Sequence, residues 1–232
     1  MNAASLYKDA SYYFPLNNRV NLLNLNGLTW AIDSEEMTEV SGVNDIALQG
    51  TSNSKFATLL ARDQGCPSNP DLCFGVTVAF WFKYTFKFQN NGDQVDQYFL
   101  TTGGMHTNYG IGFEISERGI DRNEELRFVV RKSDSQCIFE TKFPILIWMH
   151  VTFTWDGNEL VIFRNGDKIT DFEWHECEAG SFGTFTADNF TRIGIEQANA
   201  AYDEFALWDI VLPEQHLREI VTFYEGTFQE RL

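Results

Sequence analysis

Residues 148–169 read WMHVTFTWDGNELVIFRNGDKI, and this stretch decides the fold. In its first half Met149, Val151, Phe153 and Trp155 alternate with His150, Thr152 and Thr154. A period of two marks a strand with one buried face. Asp156-Gly157 follows, two residue types that tolerate positive φ and suit a tight hairpin turn. The return run sets Val161 and Phe163 against Leu160, Ile162 and Arg164, and Asn165-Gly166 makes a second turn of the same kind. Two such turns around a short strand describe an antiparallel meander.

The same period recurs on both sides of the meander. Residues 76–88 place Val76, Val78, Phe80, Phe82, Tyr84, Phe86 and Phe88 on one face, with Trp81 and Lys83 on the other. A helix would scatter these residues around its circumference. Shorter strands are expected at 11–16, 46–50, 56–60, 97–102, 109–117, 126–132, 136–142, 171–177, 190–195 and 201–210. Pro15 marks the first of them as an edge, because proline cannot donate to a ladder. Residues 17–39 read as a long loop with at most one short strand. Pro213 opens the one convincing helix, with Glu214 at its positive end and Leu217, Ile220, Val221 and Tyr224 at helical spacing. No repeat or linker divides residues 1–232, so the reading is a single all-β domain of two packed antiparallel sheets with one short C-terminal helix.

Bulk properties bound the function. The 232 residues are 44% hydrophobic and 15% aromatic, ample for one core. The formal net charge is −16, and the densest basic site is the pair Arg131-Lys132. A nucleic-acid binder needs clustered cations to displace counterions, so nucleic acid is not an expected partner; polyanions and anionic membranes are disfavoured on the same ground. No apolar run reaches the length of a membrane span, so no membrane insertion is expected. The first residues, MNAASLYKDASYYF, carry no apolar signal region, which fits Met1 as the start of an excised domain.

Four cysteines, Cys66, Cys73, Cys137 and Cys177, allow three pairings. The favoured set is Cys66–Cys73, which clips a loop bent by Pro67 and Pro70, and Cys137–Cys177. The alternative is four reduced thiols in a cytosolic protein. The even count and the absence of CxxC spacing argue against zinc. The triplet Asn189-Phe190-Thr191 is a glycosylation sequon, so Asn189 is a candidate glycan carrier in a secreted context.

Four segments now carry a resemblance. Residues 12–16 (YYFPL), 42–50 (GVNDIALQG), 76–83 (VTVAFWFK), and 148–166 together with YDEFALW at 202–208 and LPE at 212–214 are similar to the laminin-G-like and pentraxin-like branch of the concanavalin A-like superfamily. The resemblance implies a jelly-roll sandwich. The pentraxin signature H-x-C-x-S/T-W-x-S/T is matched by His150, Thr154 and Trp155, but Thr152 stands at the cysteine and Gly157 at the final hydroxyl residue. A laminin-G-like module without the pentraxin ligand site is therefore the better description.

That family often carries a structural calcium on its outer side. Asp203 is the best-matched ligand here, with Asn17 and Asn44 as further oxygen donors. The competing reading has Asp203 orienting a turn beside its strand. Relatives that hydrolyse glycosides place paired carboxylates on one strand face. No such run exists here, and Glu173 and Glu176 have opposite parity. His106, His150, His175 and His216 are scattered, and His150 reads as a structural histidine. Enzyme activity is not expected. For recognition, His106, Asn108 and Tyr109 form a loop of groups that stack and hydrogen-bond, suited to a glycan or protein ligand. Trp81 reads as core. Glu114, Glu117, Asp121, Glu124 and Glu125 read as a solvated, protective edge. The expected function is a non-catalytic extracellular adhesion or recognition module, part of a secreted protein or receptor ectodomain. The alternatives are a carbohydrate-active enzyme and a structural spacer.

Overall fold

The computed structural model describes residues 6–7, 9–16, 30–32, 37–50, 57–59, 75–84, 97–101, 112–117, 125–132, 135–144, 146–156, 159–172, 174–177, 191–195 and 200–229. They form two antiparallel sheets and a helix. The first sheet contains β1 (Tyr12–Phe14), β3 (Met37–Ser41), β4 (Ile46–Gly50), β6 (Val76–Tyr84), β11 (Met149–Trp155), β12 (Leu160–Arg164), β13 (Asp167–Lys168) and β16 (Ala200–Trp208). Its order is β13-β12-β11-β6-β16-β4-β3, with β1 also paired to β16. The second contains β2 (Trp30–Ile32), β5 (Ala57–Leu59), β7 (Gln97–Thr101), β8 (Gly112–Glu117), β9 (Glu125–Lys132), β10 (Ser135–Lys142), β14 (Trp174–Cys177) and β15 (Thr191–Ile195). Its order is β14-β10-β9-β8-β7-β15-β5-β2. Helix α1 (Glu214–Gln229) follows β16.

The meander forms as its alternation predicts. β11 pairs with β12 from Val151↔Arg164 to Trp155↔Leu160, and with β6 from Met149↔Phe82 to Trp155↔Val76. Asn165 and Gly166 take φ of 52° and 81°, the two positive values a type I′ turn requires. The turn is fastened back onto β11: Asn165 N–H donates to His150 O at 2.8 Å, and His150 N–H donates to Asn165 Oδ1 at 2.9 Å.

Between the sheets, Val78, Phe80, Phe82, Val151, Phe153, Trp155, Ile162, Tyr202 and Leu207 meet Ile115, Leu126, Phe128 and Phe139 of the second sheet. Burying each such side chain is worth about 1.5–3 kcal/mol. Contrary to the one-face reading, β11 is buried along its whole length, and so is β16. The reason is a second core on the outer face of the first sheet. There α1 lays Leu217, Ile220, Val221 and Tyr224 over Ala79, Trp81, Ala206 and Trp208, with Tyr7 and Tyr13 beside them. Trp81 is core, as expected, packed at 5.8 Å from the Tyr224 ring. The helix start is fixed by Thr77, whose hydroxyl donates to Ile210 O at 2.8 Å and accepts from Leu212 N–H at 2.9 Å.

Two further expectations need correction. Residues 17–39 contain β2 and the start of β3, three residues each, runs too short to show a period. Glu114 and Glu117 lie on β8, which sits between β7 and β9 and is not an edge. The described edges of that sheet are β14 and β2. Residues 121 and 124 lie outside the described residues.

The turn at Gly166 carries a specific constraint. A Cβ there would stand 3.0 Å from the Arg218 Cα of α1, at a φ that L side chains rarely adopt. Gly166→Ala is expected to destabilise the protein by about 2 kcal/mol or more, a fall in Tm of about 4–8 °C. Gly226→Ala, in open space on the same helix, should leave stability unchanged or raise it by up to about 1 kcal/mol. Thermal denaturation of the two variants checks the contrast; equal effects would contradict the packing of α1 on the turn.

Candidate functional site

Two features of the described structure invite a functional reading: a buried acid pair on the outer face, and an apolar tip at one rim. The acid pair arises from a bulge. β16 pairs with β6 at Asp203↔Trp81 and next at Ala206↔Ala79, so β16 carries one extra residue between them. Tyr202 and Phe205 face the inter-sheet core, whereas Ala206 and Trp208 face the outer core. The extra residue lets Asp203 and Glu204, although adjacent, both point outward. Glu204 has φ 51°, the backbone cost of that arrangement.

Both carboxyl groups are fully buried. Asp203 Oδ2 accepts N–H bonds from Val43 at 2.8 Å and Asn44 at 3.2 Å, and Oδ1 accepts from the Glu204 N–H at 2.9 Å. Glu204 Oε1 accepts from Asn44 Nδ2 at 3.0 Å. Its Oε2 accepts from Tyr224 Oη at 2.8 Å and, in a very short bond, from Tyr13 Oη. The loop between β3 and β4 is curled to aim its N–H groups inward: Gly42 N–H donates to Asp45 O at 3.0 Å, and Asp45 takes φ 91°.

Burial raises the Asp203 carboxyl to about 8, with the charge of Glu204 adding to the rise. Burial raises Glu204 as well, against the hydrogen bonds of Tyr13, Asn44 and Tyr224. The two groups titrate as a pair. The hydrogen bonds from Tyr13, Asn44 and Tyr224 favour the charged form of Glu204, so the retained proton belongs to the pair and not to Glu204 alone. Burial lowers His150 to about 3, so it is neutral at physiological pH, as suits a structural histidine.

At one end of the sandwich, Leu146 is 62% and Ile147 57% exposed. Leu146 has φ 64°, unfavourable for a bulky side chain, and its N–H is pinned to Tyr84 O at 2.7 Å. Trp148 is half-buried beside them, with Lys83 Nζ 5.8 Å from its ring centre. Phe172, exposed and 4.8 Å from the Phe139 ring, lies at the same end; Arg164, joined to Lys142 O and Asp171, links the two sides.

The sequence pattern of the laminin-G family described as the concanavalin A-like lectin/glucanases superfamily matches residues 63–218. The chain belongs to this family. No curated protein matches it by sequence. Among solved structures, the binding domain of botulinum neurotoxin serotype D superposes with a TM-score of 0.70 at 12% identity, covering 97% of this chain and 53% of that one. The binding domain of Paraclostridial Mosquitocidal Protein 1 gives 0.67 at 15% identity, covering 94% and 53%. The serotype G binding domain gives 0.68 at 12%, covering 94% and 52%. At these identities the likeness is one of fold, and this laminin-G chain spans about half the length of each.

For this laminin-G fold the predicted calcium ligands can be placed. Asp203 and Asn44 do come together, but they meet as acceptor and N–H donor. Asn17 lies outside the described residues. Calcium wants six to eight oxygens; the partners described for Asp203 are N–H groups, so this donor set does not fit the ion. Among the described residues no group of three or more His, Cys, Asp or Glu is placed to hold a metal. Cys137 and Cys177 stand opposite each other in the β10–β14 register. Cys66, Cys73, His106, Asn108, Tyr109 and Asn189 lie outside the described residues, as do Glu173 and Glu178; Glu176 is opposite Ile138 on β14.

Sequence reasoning found Asp203 but missed Glu204, Tyr13 and Tyr224 as its company. A signal was present: in YDEFALW, strict alternation cannot put Tyr202, Phe205 and Leu207 on one face, and the break marks the bulge.

The sign of the pH dependence follows. The raised carboxyls make the folded state bind more protons between the ordinary carboxyl range and about 8, so their stabilisation is lost as pH rises through that window. His150, depressed from 6.5 to about 3, acts oppositely, its contribution growing up to about pH 6.5. From about pH 6.5 to about pH 8 the acid pair acts without this opposition. Urea denaturation in that window should show stability falling, at most by about 1.4 kcal/mol per pH unit for one proton. Glu204→Gln should flatten the slope; stability that rises with pH there would contradict the assignment.

Proposed function

We propose that the chain is a non-catalytic recognition module of an extracellular or cell-surface protein, and that it engages a protein partner through the Leu146–Ile147 tip. The carrying observation is the tip itself: two large aliphatic side chains held out to solvent, the first of them, Leu146, on a backbone conformation that disfavours it. Such strain persists where the surroundings fix it, and it clusters at functional positions. A convex aliphatic tip suits an apolar recess on a protein better than the hydroxyl-rich surface of a glycan.

The solved relatives support a binding reading, since their titles call them binding or receptor-binding domains. That the chain spans about half of each supports a domain of a larger protein. The register that sets Cys137 opposite Cys177 supports a bridge between β10 and β14, and with it an oxidising compartment.

Binding of the chain to panels of cell-surface proteins and glycans, with and without Leu146→Asp/Ile147→Asp, tests the reading. A protein ligand weakened at least ten-fold by the double variant, with Tyr109→Ala unaffected, is the expected result. Loss on Tyr109→Ala instead would move the site to the β7–β8 connection, and binding to neither panel would count against a recognition role. Polysaccharide hydrolysis abolished by one Asp or Glu substitution would replace the reading with an enzymatic one. Failure to recover a Cys137–Cys177 peptide under non-reducing conditions would sink the extracellular assignment.

A further inference from the structure

We propose that Asp203 and Glu204 form a metal-free brace that fastens β1, the 42–45 loop and α1 to β16, where the laminin-G resemblance implies a calcium ion. Three observations carry this. First, the N–H groups of Val43, Asn44 and Glu204 point their hydrogens at the Asp203 oxygens, so a cation bound there would face the positive ends of the same dipoles. Second, the backbone closes over Oδ2. A point 2.5 Å from that oxygen, where a Cβ of Gly42 would sit, is already 2.8 Å from Ile46 C and 2.9 Å from Ala47 N. An ion at bonding distance on that side has no room. Third, three segments of the outer layer each supply a donor to the pair: Tyr13 from β1, Asn44 from the loop and Tyr224 from α1.

The third point has a mechanical consequence. β4 pairs with β16 through Ala201 and Tyr202, and β1 pairs with it through Phe205, Ala206 and Leu207. The acid pair sits in the gap where one neighbour of β16 ends and the next begins. Tyr13 and Tyr224 bond the same oxygen, Glu204 Oε2, so β1 and α1 are joined through it. Opening of the brace therefore frees both at once, while β11 and β12 stay joined by their own backbone ladder and by that of β11 with β6.

Two measurements on the full chain test this. In calorimetry, Tm should be the same in excess calcium and in excess chelator, and calcium titration should show no heat of specific binding. A Tm raised by calcium and returned to the baseline by Asp203→Asn would overturn the brace in favour of a metal site. In hydrogen exchange, Glu204→Ala should speed exchange of the β1, 42–45 and α1 amides together, at least ten-fold, with β11 and β12 changed far less. Exchange that accelerates in α1 while β1 keeps its protection would overturn the joint release. Should Glu204→Ala fail to fold, the wild-type chain suffices: the β1 and α1 amides should share one opening equilibrium across a denaturant series, and two separate equilibria would refute the proposal.

Discussion

The architecture depends on one constraint: the three adjacent strands β11, β6 and β16 have no face left for water. Their inner face meets the second sheet, as in any sandwich. Their outer face carries Trp81, His150, Thr152, Asp203, Glu204 and Trp208, a mixture that neither an open surface nor a plain apolar core would hold. It must be covered, and the cover must satisfy polar groups as well as exclude water. Helix α1 supplies the apolar part through Leu217, Ile220 and Val221. The polar part falls to Tyr13, Asn44, Tyr224 and the turned-in N–H groups of the β3–β4 loop.

Two buried carboxyl groups side by side would ordinarily be destabilising. Isolated charges at this depth cost several kcal/mol each, and their mutual repulsion adds to it. No cation is among the partners described for either group. The fold answers in two ways: dense hydrogen bonding, with donors on both oxygens of each group, and retention of a proton between them. A buried polar network of this kind is costly when partly satisfied and rigidifying when complete. The close approach of Asp203 Oδ2 and of the Ile46–Ala47 backbone explains why Gly42 must remain a glycine, and the hydrogen bonds on both carboxyl oxygens of Glu204 hold that residue in a left-handed backbone.

Most of the fold was legible in the sequence, because period-two alternation and paired glycine turns are local signals. β4 was read to its first and last residues, and β6, β9, β10, β11 and β12 to within a few residues. What escaped was tertiary. Alternation in β11 suggested one wet face, since Thr152 and Thr154 are polar; the cover that buries them comes from a helix sixty residues later. Glu114 and Glu117 looked like a sheet edge because charge marks solvent, yet strand order is set by pairings that composition does not encode. Asp203 was singled out as a calcium ligand, but the chemistry around the acid pair is that of N–H donors and hydroxyls, which sit far away in the chain at residues 13, 43, 44 and 224.

Under the proposed recognition role, the doubly covered sheet leaves contact with a partner to segments such as the tip where Leu146 and Ile147 stand exposed. The outer layer matters to that role because it fixes β16 and β6, and Tyr84 at the end of β6 holds the tip through its carbonyl. The most direct test of the whole account is a double-mutant cycle on Tyr13→Phe and Tyr224→Phe, the two hydroxyls that share one oxygen of Glu204. Coupling of at least about 0.5 kcal/mol in unfolding free energy is the predicted result, whereas strictly additive losses would show that the acid pair does not unite β1 and α1.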